Sequence, residues 1–198
     1  MSPRNRILGY VRGAMASRPR VPHPGRFDGR FLAGDDRSPL ERFTELFSAS
    51  GGEVERFEDM EGAASWMAAF SRDFESATVG VTVPGLLRPR LPSSCPDLAP
   101  LAVSAAVGAV AETGSLVLDA RDGRRTQLLA PTHVVFVREE DIHSTLVGAM
   151  VTLRPMLPSA IGLHSGPSKS ADIGQILVRG VHGPGRIVAA FVGGSDRF

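Results

Sequence analysis

The sequence predicts an α/β domain, a three-layer α/β/α sandwich around a mainly parallel sheet. Two observations carry that prediction. Short apolar runs such as ATVGVTVP (77–84), LAVSAA (101–106), HVVFV (133–137) and RIVAAFVGG (186–194) lack the alternating polarity of a half-wet strand, so they belong in a sheet covered on both faces. Between many of them lie stretches whose apolar residues recur at helical spacing, and that alternation builds such a sheet. Ligands of these sheets sit beyond the carboxyl ends of the strands. That rule singles out the turn after AIGLHSG (160–166) and the AETGS connector (111–115).

The elements follow in chain order. Ser2-Pro3 reads as a cap and a first helical proline. Ile7, Leu8, Val11, Ala14 and Met15 then mark a short amphipathic helix with Arg4 and Arg12 on its solvated face. Residues 17–37 mix prolines, glycines and charges without a period, as an arm or linker would, and such an arm suits packing on a partner subunit. The domain proper spans residues 38–198. Ser38-Pro39-Leu40-Glu41 is a capping box; Leu40, Phe43 and Phe47 continue the helix, and Gly51-Gly52 stop it. GEVERF (52–57) alternates like a strand. Ala63, Trp66, Met67 and Phe70 mark a helix, and 77–84 a buried strand ended by proline. Residues 84–100 form a proline-rich loop of a length that is often functional or mobile. LAVSAA and SLVLDA (115–120) read as strands flanking VGAVAETG. Ile142, Leu146, Ala149, Met150 and Leu153 read as one helical stripe, and AIGLHSG as a further strand.

Composition excludes several classes. With 22 basic and 21 acidic side chains, net +1, the chain lacks the basic excess of a nucleic-acid binder. One cysteine, Cys95, supports neither an internal disulfide nor a cysteine cage for zinc or iron–sulfur. It has no neighbouring base to make it a nucleophile. No apolar run approaches about 18 residues, and the first residues lack the apolar centre of a signal peptide. A cytoplasmic location is the expectation. His133, His143, His164 and His182 show no HxxH or HExxH pairing, so no metal site is expected.

Three segments carry candidate chemistry. After the AIGLHSG strand come Ser165, Gly166, Ser168, Lys169, Ser170 and Asp172, followed by Ile173, Ile176 and Leu177 at helical spacing. Hydroxyls, an ammonium and free amides at a helix start make an anion site, with Asp172 complementing the dipole or orienting Lys169. An ordinary strand–turn–helix corner uses the same residues, and the glycine spacing is not that of a phosphate loop. His182, with Gly183 in the glycine-rich GVHGPGR, is an acid/base or ligand-orienting candidate, or merely a loop histidine. Glu112, with Thr113 and Gly114, sits between apolar runs where desolvation would suit acid/base or nucleophilic work; the alternative is a turn whose carboxylate caps amides or pairs with an arginine.

AVAETGSLVL (109–118), LLAPTHVVFV (128–137) and SGPSKSADIGQILVRGVHGPGRIVAAFV (165–192), in that order, resemble the LUD-domain family, in its lactate-utilisation protein C branch. The similarity extends over about residues 77–193. Ser170 stands where the family pattern has threonine, which keeps the hydroxyl. The resemblance implies a fold like that of the NagB/RpiA/CoA-transferase group. It also implies a role in oxidising L-lactate to pyruvate beside iron–sulfur partner proteins. No cofactor intrinsic to this chain is expected; the clusters would lie in the partners. Three readings stay open: an accessory subunit binding a small anionic ligand, a stand-alone transferase acting on a CoA thioester or phosphorylated substrate with Glu112 as nucleophile or base, and a non-catalytic interaction module. A homo-oligomer is compatible with each.

Overall fold

The computed structural model describes residues 2–16, 37–156, 158–171 and 177–194. The chain divides into two compact units, Met1–Asp36 and Arg37–Phe198. In the first, helix α1 (Pro3–Ala16) has no buried residue, and the Ser2 hydroxyl accepts from the Asn5 N–H at 3.3 Å. The arm expected at 17–37 lies, apart from Arg37, outside the described residues.

The second unit opens with α2 (Pro39–Ala49), started by the capping box read from the sequence: the Ser38 hydroxyl accepts from Glu41 N–H while the Glu41 carboxylate accepts from Ser38 N–H. The elements that follow are β1 (Glu53–Phe57), α3 (Met60–Phe70), β2 (Ala77–Val79), β3 (Leu101–Ala105), β4 (Gly108–Val110) and β5 (Ser115–Asp119). Then come α4 (Arg124–Leu128), β6 (Thr132–Arg138), β7 (Ile142–His143), α5 (Leu146–Leu153), β8 (Ile161–His164), β9 (Lys169–Ala171), β10 (Leu177–Arg179) and β11 (Arg186–Val192).

The central sheet has the order β1-β11-β6-β3-β2, and every pairing in it is parallel. Alternate residues of its strands enter two cores. On one face Met60, Ala63 and Met67 of α3 meet Val103, Val134, Phe136 and Val188. On the other, Phe43 and Phe47 of α2 meet Val135, Val137, Ala189 and Phe191, with the Phe43 and Phe191 rings edge to face at 5.0 Å. Both faces are therefore covered by helix, as the unbroken apolar strands require. This is the mixed α/β, three-layer arrangement expected from the sequence.

The structure adds a second sheet, ordered β7-β4-β5-β8, that the strand pattern did not separate from the first. Ala109, Ala111, Leu116 and Leu118 pack it into the α2-side core. Val110 and Val117 on its far side meet Ala149 and Leu153 of α5. SLVLDA and AIGLHSG are thus not strands of the parallel sheet. They are antiparallel neighbours, with Leu116 opposite His164; β5 is buried throughout, whereas β8 is only partly covered and leaves Leu163 exposed. The expected connector VGAVAETG contains a strand, β4, and a 3-10 turn at Ala111–Thr113.

Three further expectations change. The strand read over 77–84 ends at Val79, because the Asp122 carboxylate takes Thr82 N–H and hydroxyl at 2.9 Å each and draws the chain away. A Cβ on Gly80 would stand 2.2 Å from that carboxylate. The helical stripe begins at Leu146, not Ile142, which lies in β7. Where a helix was expected from Ser168–Ser170 onward, the described residues Lys169–Ala171 and Leu177–Arg179 are the antiparallel strands β9 and β10, with Val178 opposite Ser170. A helix of about two turns is marginal on its own, whereas cross-strand pairing satisfies the same backbone groups. Asp172, Ile173 and Ile176 lie outside the described residues.

Candidate functional site

The two turns singled out in the sequence meet. Ser115 and Ser165 share a 2.7 Å hydrogen bond, and the Thr113 hydroxyl lies 2.7 Å from that of Ser115. Both turns rest on α2 through glycines with positive φ. Gly114 (φ 56°) presses on Leu46 and Phe47, and Gly166 (φ 127°) on Ser50. Lys169 is exposed, and its ammonium donates to the Ser50 carbonyl. The Ser168 hydroxyl accepts from His182 N–H at 3.3 Å, and the backbone of Ser168 bonds to Pro184 and Gly180. Ser170 lies in β9 and Gly183 in the loop beside Ser168, whose Cβ a side chain at 183 would meet at 3.2 Å.

This junction is at the amino end of the parallel sheet. His164 at the end of β8 stacks edge-on to His133 at the start of β6, with ring centroids 6.3 Å apart. Gly185 and Arg186 donate to Pro131 just before β6. The carboxyl-end rule therefore does not apply to the turn after AIGLHSG, because β8 is not a strand of the parallel sheet. The hydroxyls and the ammonium of the junction are largely engaged with the protein itself.

Glu112 and His182 are not brought into contact among the described residues. Glu112 is half-buried, and its carboxylate accepts from Leu146 N–H at 2.5 Å, at the head of α5. Thr145 caps the same helix through Gly148 N–H at 3.0 Å. Thus the capping role is the one the geometry displays. Among the described residues no group of three or more His, Cys, Asp or Glu side chains is placed to hold a metal ion. None of their helices is long and apolar enough to cross a membrane.

Two histidines are perturbed by burial. His133 is fully enclosed between the central sheet and the second one, with Nε2 2.9 Å from the Ser104 hydroxyl. Its Nδ1 has no hydrogen-bond partner. Desolvation, and secondarily the charge of His164, lowers its pKa from 6.5 to about 3. Desolvation lowers His164 as well.

The residues that sequence reasoning missed line a cavity of about 270 Å³ at the carboxyl ends of β3 and β6. Arg121, Arg138, His143 and Thr82 supply donors, and Asp119 and Asp141 supply acceptors. Its apolar wall includes Val107, Leu153, Met156 and Ile161. Asp122, through Thr82 and Ala105 N–H, fixes the wall where the 80s loop meets β3. Arg138 and Asp119 each end an apolar run in the sequence. That was the available signal, and it was lost because the two runs belong to different sheets.

Residues 98–192, from β3 to β11, match the LUD domain family model. The resemblance to LUD-domain proteins read from the sequence is thus shown. The chain is 30% identical over 158 residues to "Lactate utilization protein C" of Geobacillus kaustophilus, covering 74% of this chain and 64% of that protein. It is 38% identical over 96 residues to the Bacillus subtilis protein of that name, covering 44% and 39%. To that of Deinococcus radiodurans it is 35% identical over 123 residues, covering 59% and 57%. The chain thus spans less than two thirds of the length of these relatives. The crystal structure of a DUF162 family protein from Deinococcus radiodurans shares the fold, with TM-score 0.58 and 20% identity over 78% of this chain and 96% of the other.

Proposed function

We propose that the chain serves lactate utilisation as a cytoplasmic binding subunit. It holds a small anionic ligand while iron–sulfur partner proteins carry the electrons of an L-lactate to pyruvate oxidation. The observation that supports this reading is the matched stretch itself: relatives named for lactate utilisation align with residues that build both sheets. The one cysteine, Cys95, is exposed and alone, so clusters held by cysteine cages would lie in partners. The transferase reading loses ground because the Glu112 carboxylate is committed to the head of α5.

The test is genetic and biochemical together. A strain of the source organism lacking the gene should grow poorly with L-lactate as sole carbon source, and the full chain should restore growth. Tagged protein from lactate-grown cells should retain iron–sulfur absorbance through purification. Normal growth on lactate without the gene would overturn the reading.

A further inference from the structure

The geometry points to the cavity at the carboxyl ends of β3 and β6 as a binding site for a short hydroxycarboxylate or its oxo counterpart. It lies where open parallel sheets present ligands. Its volume, about 270 Å³, falls below the range of roughly 300–1,000 Å³ that holds drug-sized molecules. A CoA thioester or a dinucleotide does not fit inside; a molecule of a few carbons does.

The wall has three kinds of surface, and each matches one part of such a ligand. Arg138 is the carboxylate anchor. Its side chain is only 13% exposed, and one terminal N–H group engages Glu140. Its Nε is buried without a hydrogen-bond partner, the nearest carboxylate oxygen, on Asp141, standing at 3.8 Å. That Nε is out of a ligand's reach, but a guanidinium has five donors to share, and with Arg138 lining the cavity the terminal donors that Glu140 leaves open can meet a carboxylate. Arg121 offers a second guanidinium; only its Nε is spent on Asp119. Asp119 and Asp141 can accept a ligand hydroxyl. Val107, Leu153, Met156 and Ile161 receive a short apolar end. The two guanidinium groups stand among three carboxylates, Asp119, Asp141 and the Glu140 that engages Arg138, so the wall has no cationic surplus for a phosphate dianion and holds a carboxylate through donated hydrogen bonds rather than net charge.

The site stands on this geometry. Choosing lactate or pyruvate over other short acids rests on the proposed function.

The experiment is titration calorimetry of the full chain with acetate, propionate, glycolate, lactate and pyruvate, with acetyl-CoA as the large probe. Two variants accompany the wild type. Arg138→Gln removes the anchor. Thr152→Phe, at an exposed position of α5 on the cavity wall, fills the space without entering the core. At least one short acid should bind the wild type. Affinity should fall about 10-fold or more in Arg138→Gln, as for loss of a charge-assisted hydrogen bond. Thr152→Phe should abolish binding while leaving the melting temperature unchanged. Binding of glycolate or propionate in this pattern, with lactate and pyruvate inert, would keep the site and remove the lactate reading. No binding of any short acid, or equal binding to Thr152→Phe, would overturn the site.

Discussion

Ser115 and Ser165, 50 positions apart in sequence, share one hydrogen bond of 2.7 Å. That bond ties the start of β5 to the end of β8 and brings the AETGS turn against the turn that leads into the β9–β10 hairpin. Ser115 is buried and also meets the Thr113 hydroxyl, whereas Ser165 is exposed. The two ends of the bond therefore have different alternatives when it is broken.

Ser115→Ala should destabilise the protein by about 1–2 kcal/mol, because it strips the Thr113 and Ser165 hydroxyls of their shared partner. Ser165→Ala should cost about 0.5–1 kcal/mol, since Ser115 keeps Thr113. The double variant should cost less than the sum, by about 0.5 kcal/mol or more. Urea denaturation of the four proteins measures the cycle, and strict additivity would show that the bond contributes nothing to the junction.

Gly114 and Gly123 both adopt positive φ, at 56° and 78°, but only Gly114 is hemmed in. A Cβ there would stand 2.8 Å from Leu46 Cβ and Phe47 N, while one on Gly123 meets nothing within 4 Å. Gly114 is left-handed (φ 56°, ψ 47°), a conformation that alone costs an alanine about 1–2 kcal/mol, whereas Gly123 (φ 78°, ψ 131°) lies outside that well and is no measure of it. Gly114→Ala should exceed that backbone cost by about 1 kcal/mol or more, because α2 must shift. The extra loss should lower the melting temperature by a further few degrees, about 2–4 °C per kcal/mol at this chain length. A loss in Gly114→Ala of no more than about 1–2 kcal/mol would mean that the turn does not bear on α2.

Local chemistry explains which parts of this fold were readable. Ser38 and Glu41 satisfy each other within four residues, so the start of α2 was legible without tertiary information. The apolar runs at 133–137 and 186–194 were legible because burial on both faces leaves no polar position. What escaped was partnership between distant strands. Leu116 faces His164, and Val134 faces Val188, yet nothing in the four apolar runs says which two share a sheet. The carboxyl-end rule then pointed at a turn that lies at the amino end of the parallel sheet, and Arg138 and Asp119 stayed hidden as charged ends of strands in different sheets. Lys169–Ala171 and Leu177–Arg179 escaped for a related reason: the spacing read as a helix start, but the two segments pair with each other as strands.

Glu112 separates a structural from a chemical role. Its carboxylate accepts from Leu146 N–H in the first turn of α5. Glu112→Ala should cost about 1 kcal/mol, as loss of a cap does, and should raise amide exchange at the head of α5. Glu112→Gln keeps an acceptor oxygen and should recover most of that loss, short of the few tenths contributed by negative charge at a helix start. Acyl-CoA turnover by the wild type that vanishes in Glu112→Gln would restore the nucleophile role.

His133 gives the protein an acid limit. The folded group titrates at about 3, the unfolded one near 6.5. Between those values the unfolded chain binds more protons, so the free energy of unfolding falls as pH falls. The contribution is intact above 6.5 and is lost progressively below it, at up to about 1.4 kcal/mol per pH unit for one group. His164, lowered by burial, acts in the same direction. Glu53, held below its usual 4.5 by its hydrogen bonds from Arg186, weakens the fold only at more acidic values. Measurements between pH 5 and 7 therefore isolate the histidines. Guanidinium denaturation across that range should show stability falling steeply with acid in the wild type. In His133→Gln, which keeps a polar partner for Ser104 but cannot take up a proton, the slope at the acid end should drop by about 1 kcal/mol per pH unit. Parallel curves for the two proteins would mean that the proton enters elsewhere and that the enclosed ring does not set the limit.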